Sequence, residues 1–138
     1  ESSMLMSLAG FAASDHQPLA SSPVEVFVAG ERDAHGVSIG CYRIPGLVRT
    51  NGTLLAFAEG RVGGCRPDVE GGRPIVVRVS ADDGASWGPI RYAVAPIASR
   101  SLNYPAPVVL DDGSVLLLFH VAGQPVHATR STDGGGTW

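Results

Sequence analysis

Arg43, Arg61 and Asp68 are the residues whose types and order could do chemistry on an anionic substrate. A guanidinium is planar, permanently charged and able to meet a carboxylate through two parallel charge-assisted hydrogen bonds. A loop carboxyl can move a proton where its reach and acidity suit the task. Arg43 stands in the run Tyr42-Arg43-Ile44-Pro45, and Arg61 closes the run Leu54-Leu55-Ala56-Phe57-Ala58-Glu59-Gly60-Arg61. Asp68 follows in a loop that opens Cys65-Arg66-Pro67, with Glu70 as its competitor and Arg66 near enough to perturb it. Taken singly, a strand arginine is ordinarily a solvated edge or ion-pair residue, and a loop arginine or carboxylate is ordinarily just hydrated. The case for a site rests on their succession within one short stretch.

The elements that must position these residues are strands. From residue 24 onward, short apolar runs alternate with turn residues and no helical period emerges, which predicts an all-β chain. Residues 24–28 read as one strand. Residues 42–49 and 53–60 flank Asn51-Gly52, the strongest short hairpin signal, and 73–80 follow as a third strand of that group. Residues 107–110 and 114–121 flank Asp112-Gly113, and 126–131 complete a second group of the same order. Each group runs into an octapeptide, Ser80-Ala81-Asp82-Asp83-Gly84-Ala85-Ser86-Trp87 and Ser131-Thr132-Asp133-Gly134-Gly135-Gly136-Thr137-Trp138. In both, aspartate can accept backbone N–H groups, glycine permits a positive φ, and tryptophan offers a large ring to bury. Ser80 and Ser131 stand 51 residues apart, a period suited to a four-stranded propeller blade of about 40 to 50 residues. Pro45 fits the same layout, because a proline cannot donate to a ladder and sits on a strand with a free edge, as the innermost strand of a blade has. Strict alternation places Arg43 and Pro45 on one face and Tyr42 and Ile44 on the other.

Composition excludes more than it assigns. The formal charge is -3 and the basic residues, all arginine, are spread along the chain, so no basic stripe for nucleic acid is present. No segment approaches the ~20 apolar residues of a membrane span. Cys41 and Cys65 are too few and too far apart for a zinc site. Free buried thiols are the expectation for them, with a single bridge tethering the loop in an oxidising compartment as the alternative. Residues 1–23 read as a leader or linker, with an apolar stretch resembling the tail of a signal peptide, and 24–138 as the N-terminal part of a propeller domain. The first residue is Glu1 and the last completes a motif, which predicts a piece of a longer enzyme.

Taken together, these motifs resemble the sialidase family. The octapeptides resemble its Asp-box, Ser-x-Asp-x-Gly-x-x-Trp, a structural turn on the outer rim. The family fold implied is a six-bladed β-propeller, of which this chain would hold about the first two blades. Tyr42-Arg43-Ile44-Pro45 is similar to the family's Tyr/Phe-Arg-Ile-Pro element, which implies that Arg43 is one of three arginines clamping the sialic acid carboxylate. Arg61 would reach the sugar near its 4-hydroxyl, and Asp68 would act as general acid and base. An Asn-Pro or Asp-Pro pair of the family is represented by Asn103-Tyr104-Pro105, where an inserted tyrosine leaves the assignment between Asn103 and Tyr104 open. The resemblance implies sialylated glycoconjugates as partners; the sequence shows no metal-ligand cluster and calls for no cofactor, and it leaves the compartment open, with a lean to secreted, cell-surface or lysosomal. Sialidases are the glycosidases with a tyrosine nucleophile. That tyrosine, its glutamate and two further arginines belong to later blades, and none of Tyr42, Tyr92 or Tyr104 stands in the nucleophile's place. A non-catalytic Asp-box propeller that binds sugars or proteins, and a trans-sialidase, are the alternatives, since fold alone does not fix function.

Overall fold

A computed structural model describes residues 23–65, 72–98 and 100–138. They form two antiparallel meanders. The first is β1 (Cys41–Thr50), β2 (Thr53–Arg61), β3 (Ile75–Ser80) and β4 (Arg91–Val94), and the second is β5 (Leu102–Val109), β6 (Val115–Val121) and β7 (Val126–Ser131). In both sheets sequence order is spatial order, so β1 and β5 each have one free edge.

The turns follow from local chemistry. Asn51 and Gly52 both take positive φ, 47° and 77°, the twist that joins β1 to β2 in a two-residue turn. The β5–β6 connection uses only Gly113 at positive φ, 79°. There Gly113 N–H donates to Leu110 O at 2.8 Å and Leu110 N–H to Ser114 O at 2.9 Å. The two octapeptides fold alike. The Ser80 hydroxyl donates to Asp82 Oδ1 at 2.8 Å and accepts the Gly84 N–H at 2.9 Å, while Asp82 accepts both the N–H and the hydroxyl of Ser86. Ser131, Asp133, Gly135 and Thr137 repeat each of these bonds. These donors hold the Asp82 carboxyl down to about 2, the Ser86 hydroxyl first among them, and Asp133 is lowered in the same way by Thr137 and Ser131.

The main core lies between the sheets. Leu55, Phe57, Ile75 and Val77 of the first meet Leu102, Val115, Leu117, Phe119 and Val121 of the second. Trp138 joins them edge-on to Phe57, with ring centroids 5.5 Å apart. The opposite face of the first sheet is closed by Ile90, Phe27, Tyr42 and Tyr92 around Ala58 and Val76.

Three sequence expectations need revision. Residues 24–28 form no strand; Val26 O accepts from the Arg78 guanidinium at 2.7 Å instead of a ladder partner, and Phe27 stacks on Tyr42. β4 follows the first octapeptide with only four residues, too short to show a period. β5 begins at Leu102 rather than 107, because its free edge accommodates both Pro105 and Pro107.

Both edge strands carry the same defect. Register shifts between Arg43 and Gly46 and between Asn103 and Ala106, leaving Ile44-Pro45 and Tyr104-Pro105 as two-residue bulges. Ile44 and Tyr104 sit there at φ 52° and 57°, a conformation unusual for a bulky residue and costing on the order of 1–3 kcal/mol. The bulge also ends strict alternation. Arg43 pairs with Glu59 and shares its face with Phe57, whereas Leu47 and Arg49 pair with Ala56 and Leu54 on the other. β1 and β5 approach closely beside the bulges: a Cβ on Gly46 would lie 2.9 Å from Pro107 Cδ and 3.3 Å from Pro105 O.

Candidate functional site

The bulged ends of β1 and β5 gather the candidate residues. Arg43 is exposed, and among the described residues no hydrogen bond or ion pair engages its guanidinium. Its cross-strand partner Glu59 is only 1% exposed. Glu59 Oε2 accepts from Arg61 Nη2 at 2.7 Å and Nε at 3.2 Å. Its other oxygen, Oε1, accepts the backbone N–H of Tyr104 at 3.1 Å. One carboxylate of the first sheet thus holds an arginine of its own strand and the left-handed residue of the second sheet.

Arg61 is itself buried, and its Nη1 has no partner among the described residues. A buried donor left unsatisfied costs about 1–3 kcal/mol, a cost that an added acceptor would relieve. Among the described residues, two guanidinium groups, those of Arg43 and Arg61, stand with the one Glu59 carboxylate on this face.

Asn103 occupies in the second sheet the register position of Arg43, paired with His120 as Arg43 is with Glu59. The inserted Tyr104 takes the place of Ile44 in the bulge, so Asn103 keeps its facing and donates to Ser101 O at 3.3 Å. Tyr104 is 62% exposed, its ring 6.2 Å from that of His120. An open, apolar depression of 380 Å³ adjoins it, bounded by Tyr104, Ala106, Leu118 and Val126.

Cys41 and Cys65 form a disulfide with Cα atoms 5.2 Å apart, which overturns the expectation of free thiols. Sequence does not carry a Cα separation, and the hairpin brings these two together. The bridge ties the segment after β2 to the start of β1, two residues before Arg43. Gly40 supports the same contact: its N–H donates to Arg61 O at 2.9 Å, and a Cβ there would lie 3.1 Å from Gly64 N. Asp68, its competitor Glu70 and Arg66 lie outside the described residues.

Two residues of this cluster escaped the sequence reading. Glu59 had a signal: it is a charge closing an apolar run, two residues before Arg61 and therefore on the same face of the strand. His120 had none, since a histidine ending an apolar strand announces nothing.

The arrangement can be compared with known proteins. No family model matches the chain. A curated exo-alpha-sialidase of Aspergillus fumigatus is 36% identical over 107 residues, covering 72% of this chain and 24% of that protein. This is a sialidase-like chain. A solved structure, a mutant of Trypanosoma rangeli sialidase displaying trans-sialidase activity, matches with a TM-score of 0.58 at 18% identity, over 80% of this chain and 24% of the other. That second likeness extends to fold, and places the sialidase-like sheets among antiparallel sheets similar to those of a sialidase propeller. The sialidase-like chain spans about a quarter of the length of either relative.

Proposed function

We propose that this chain is the N-terminal part, residues 24–138, of a six-bladed sialidase propeller that hydrolyses terminal sialic acid from glycoproteins, glycolipids or oligosaccharides. The observation that carries the reading is the exposed guanidinium of Arg43, without a partner among the described residues and held on a bulged edge strand beside the buried Glu59–Arg61 pair. Arg43 grips the substrate carboxylate through paired charge-assisted bonds. Arg61 offers Nη1 to a sugar hydroxyl, and Asn103 lines the neighbouring edge. Asp68 protonates the leaving oxygen and later activates water. The nucleophile is a tyrosine of a later blade, and the reaction retains configuration. A neutral phenol suits a substrate with an anion beside the reacting carbon, where a carboxylate nucleophile would be repelled. The octapeptides act as rim turns of the Asp-box kind, and the Cys41–Cys65 bridge fits a secreted, cell-surface or lysosomal setting.

The test uses the full-length protein and a fluorogenic sialoside. Arg43→Ala is expected to raise KM by roughly 10- to 100-fold, the worth of charged hydrogen bonds lost. Asp68→Ala is expected to lower kcat by roughly 10²- to 10⁴-fold. Unchanged kinetics in both variants would defeat the site assignment. Product analysis with lactose present separates hydrolysis from transfer: a sialylated lactose product in place of free sialic acid would replace the hydrolase reading with the trans-sialidase one.

A further inference from the structure

We propose that Glu59 is a positioning residue for the sialoside-binding site, one that orients Arg61 and fixes the Tyr104 bulge so that the two inner strands present their ligand-facing residues together. The proposal rests on the sialidase reading above. Its foundation is the division of labour between the two carboxylate oxygens. Oε2 takes two of the three Arg61 nitrogens, at 2.7 and 3.2 Å, and leaves Nη1 as a directed donor. Oε1 takes the N–H of Tyr104, a residue 45 positions away at φ 57°. With both oxygens engaged, Glu59 makes no bond to Arg43, its cross-strand partner, whose guanidinium is without a partner among the described residues.

A purely architectural role explains the carboxylate poorly. Apart from Arg43 and Arg61, its neighbours on that face are the apolar Leu55, Phe57, Ile75 and Val77, and burying an ion pair there gains little over an apolar pair of similar volume. The repeat supplies a second argument. The equivalent position in the second sheet is His120, whose Nδ1 is buried without a partner. The blade therefore tolerates a different residue at this position, and the carboxylate is particular to the sheet that carries Arg43 and Arg61.

The experiment uses the full-length protein with 4-methylumbelliferyl sialoside, in wild type, Glu59→Gln, Arg61→Ala and the double variant. Glutamine keeps the shape but loses the charge, and its single oxygen cannot serve both partners. Glu59→Gln is expected to raise KM at least ~10-fold with kcat within about threefold, the signature of lost binding rather than lost chemistry. In the Arg61→Ala background it should add clearly less than it costs alone, because only the bond to Tyr104 is then left to lose. Glu59→Leu keeps the volume and removes the acceptor. Hydrogen–deuterium exchange at the Tyr104 amide should then accelerate at least ~10-fold while amides of β3 and β7 are unchanged. A wild type that leaves the sialoside intact would refute the sialidase reading. An active wild type in which the KM effects multiply, or in which Tyr104 exchange does not change, would overturn the role of Glu59 and leave that reading standing.

Discussion

Opening the Cys41–Cys65 bridge should destabilise the protein by about 3 kcal/mol. The bridge spans a sequence separation of 24, and the chain-entropy relation for a loop of that size gives roughly 11–12 cal/mol/K, or about 3.4 kcal/mol at 25 °C. A second, smaller effect must be kept apart from it. Cys41 is 3% exposed, so removing its sulfur leaves a small void costing about 1 kcal/mol whether or not the bridge mattered. Reduction of the wild type by dithiothreitol cuts the link and keeps both sulfurs, whereas Cys41→Ala/Cys65→Ala removes link and atoms together. Urea unfolding of oxidised, reduced and substituted protein should therefore give losses of about 3 and about 4 kcal/mol for the last two. Thiol titration in denaturant without reductant should find neither cysteine reactive. Two reactive thiols would refute the bridge. A reduced protein with an unshifted midpoint would refute the view that the link constrains the chain.

The other perturbations probe packing and charge. Gly46→Ala should cost about 1–3 kcal/mol in thermal or urea unfolding, because the new Cβ meets the rigid Pro107 ring at 2.9 Å and neither strand can yield without losing the β1–β5 approach. The octapeptide aspartates should give acid sensitivity of predictable sign. The Asp82 carboxyl is held near 2 from an ordinary 3.8, and Asp133 is lowered likewise. Their contribution is complete above pH ~4 and lost as pH falls toward 2. The melting temperature of Asp82→Asn/Asp133→Asn should therefore vary less than that of wild type between those limits; equal slopes would refute this.

What the sequence disclosed was whatever local chemistry decides. Asn51-Gly52 fixed its turn because few residues besides Asn and Gly accept two successive positive φ values. Residues 126–131 matched β7 because a serine-aspartate turn follows directly. Decisions taken through tertiary contact were hidden. The Val-Glu-Val-Phe-Val run at 24–28 alternates as a strand should, yet the Arg78 side chain claims one of its carbonyls and Phe27 turns to Tyr42. Alternation also failed at Arg43, since a bulge is invisible in a period of two until a residue such as Ile44 is seen at φ 52°. Arg43, Arg61 and Asn103 could be singled out by type and order. That Arg61 is buried and shares Glu59 with Tyr104 depends on how one sheet rests on the other.

The Glu59–Tyr104 hydrogen bond joins residues 45 positions apart across two sheets, and that has a consequence for the order in which the molecule is built. The β1–β2 hairpin closes locally and can form early, whereas a contact of this sequence separation waits for the chain between to be ordered. During synthesis the arginine-bearing hairpin would emerge with its buried carboxylate only half engaged. Maturation of the anion site is then coincident with docking of the second sheet, not with folding of the first.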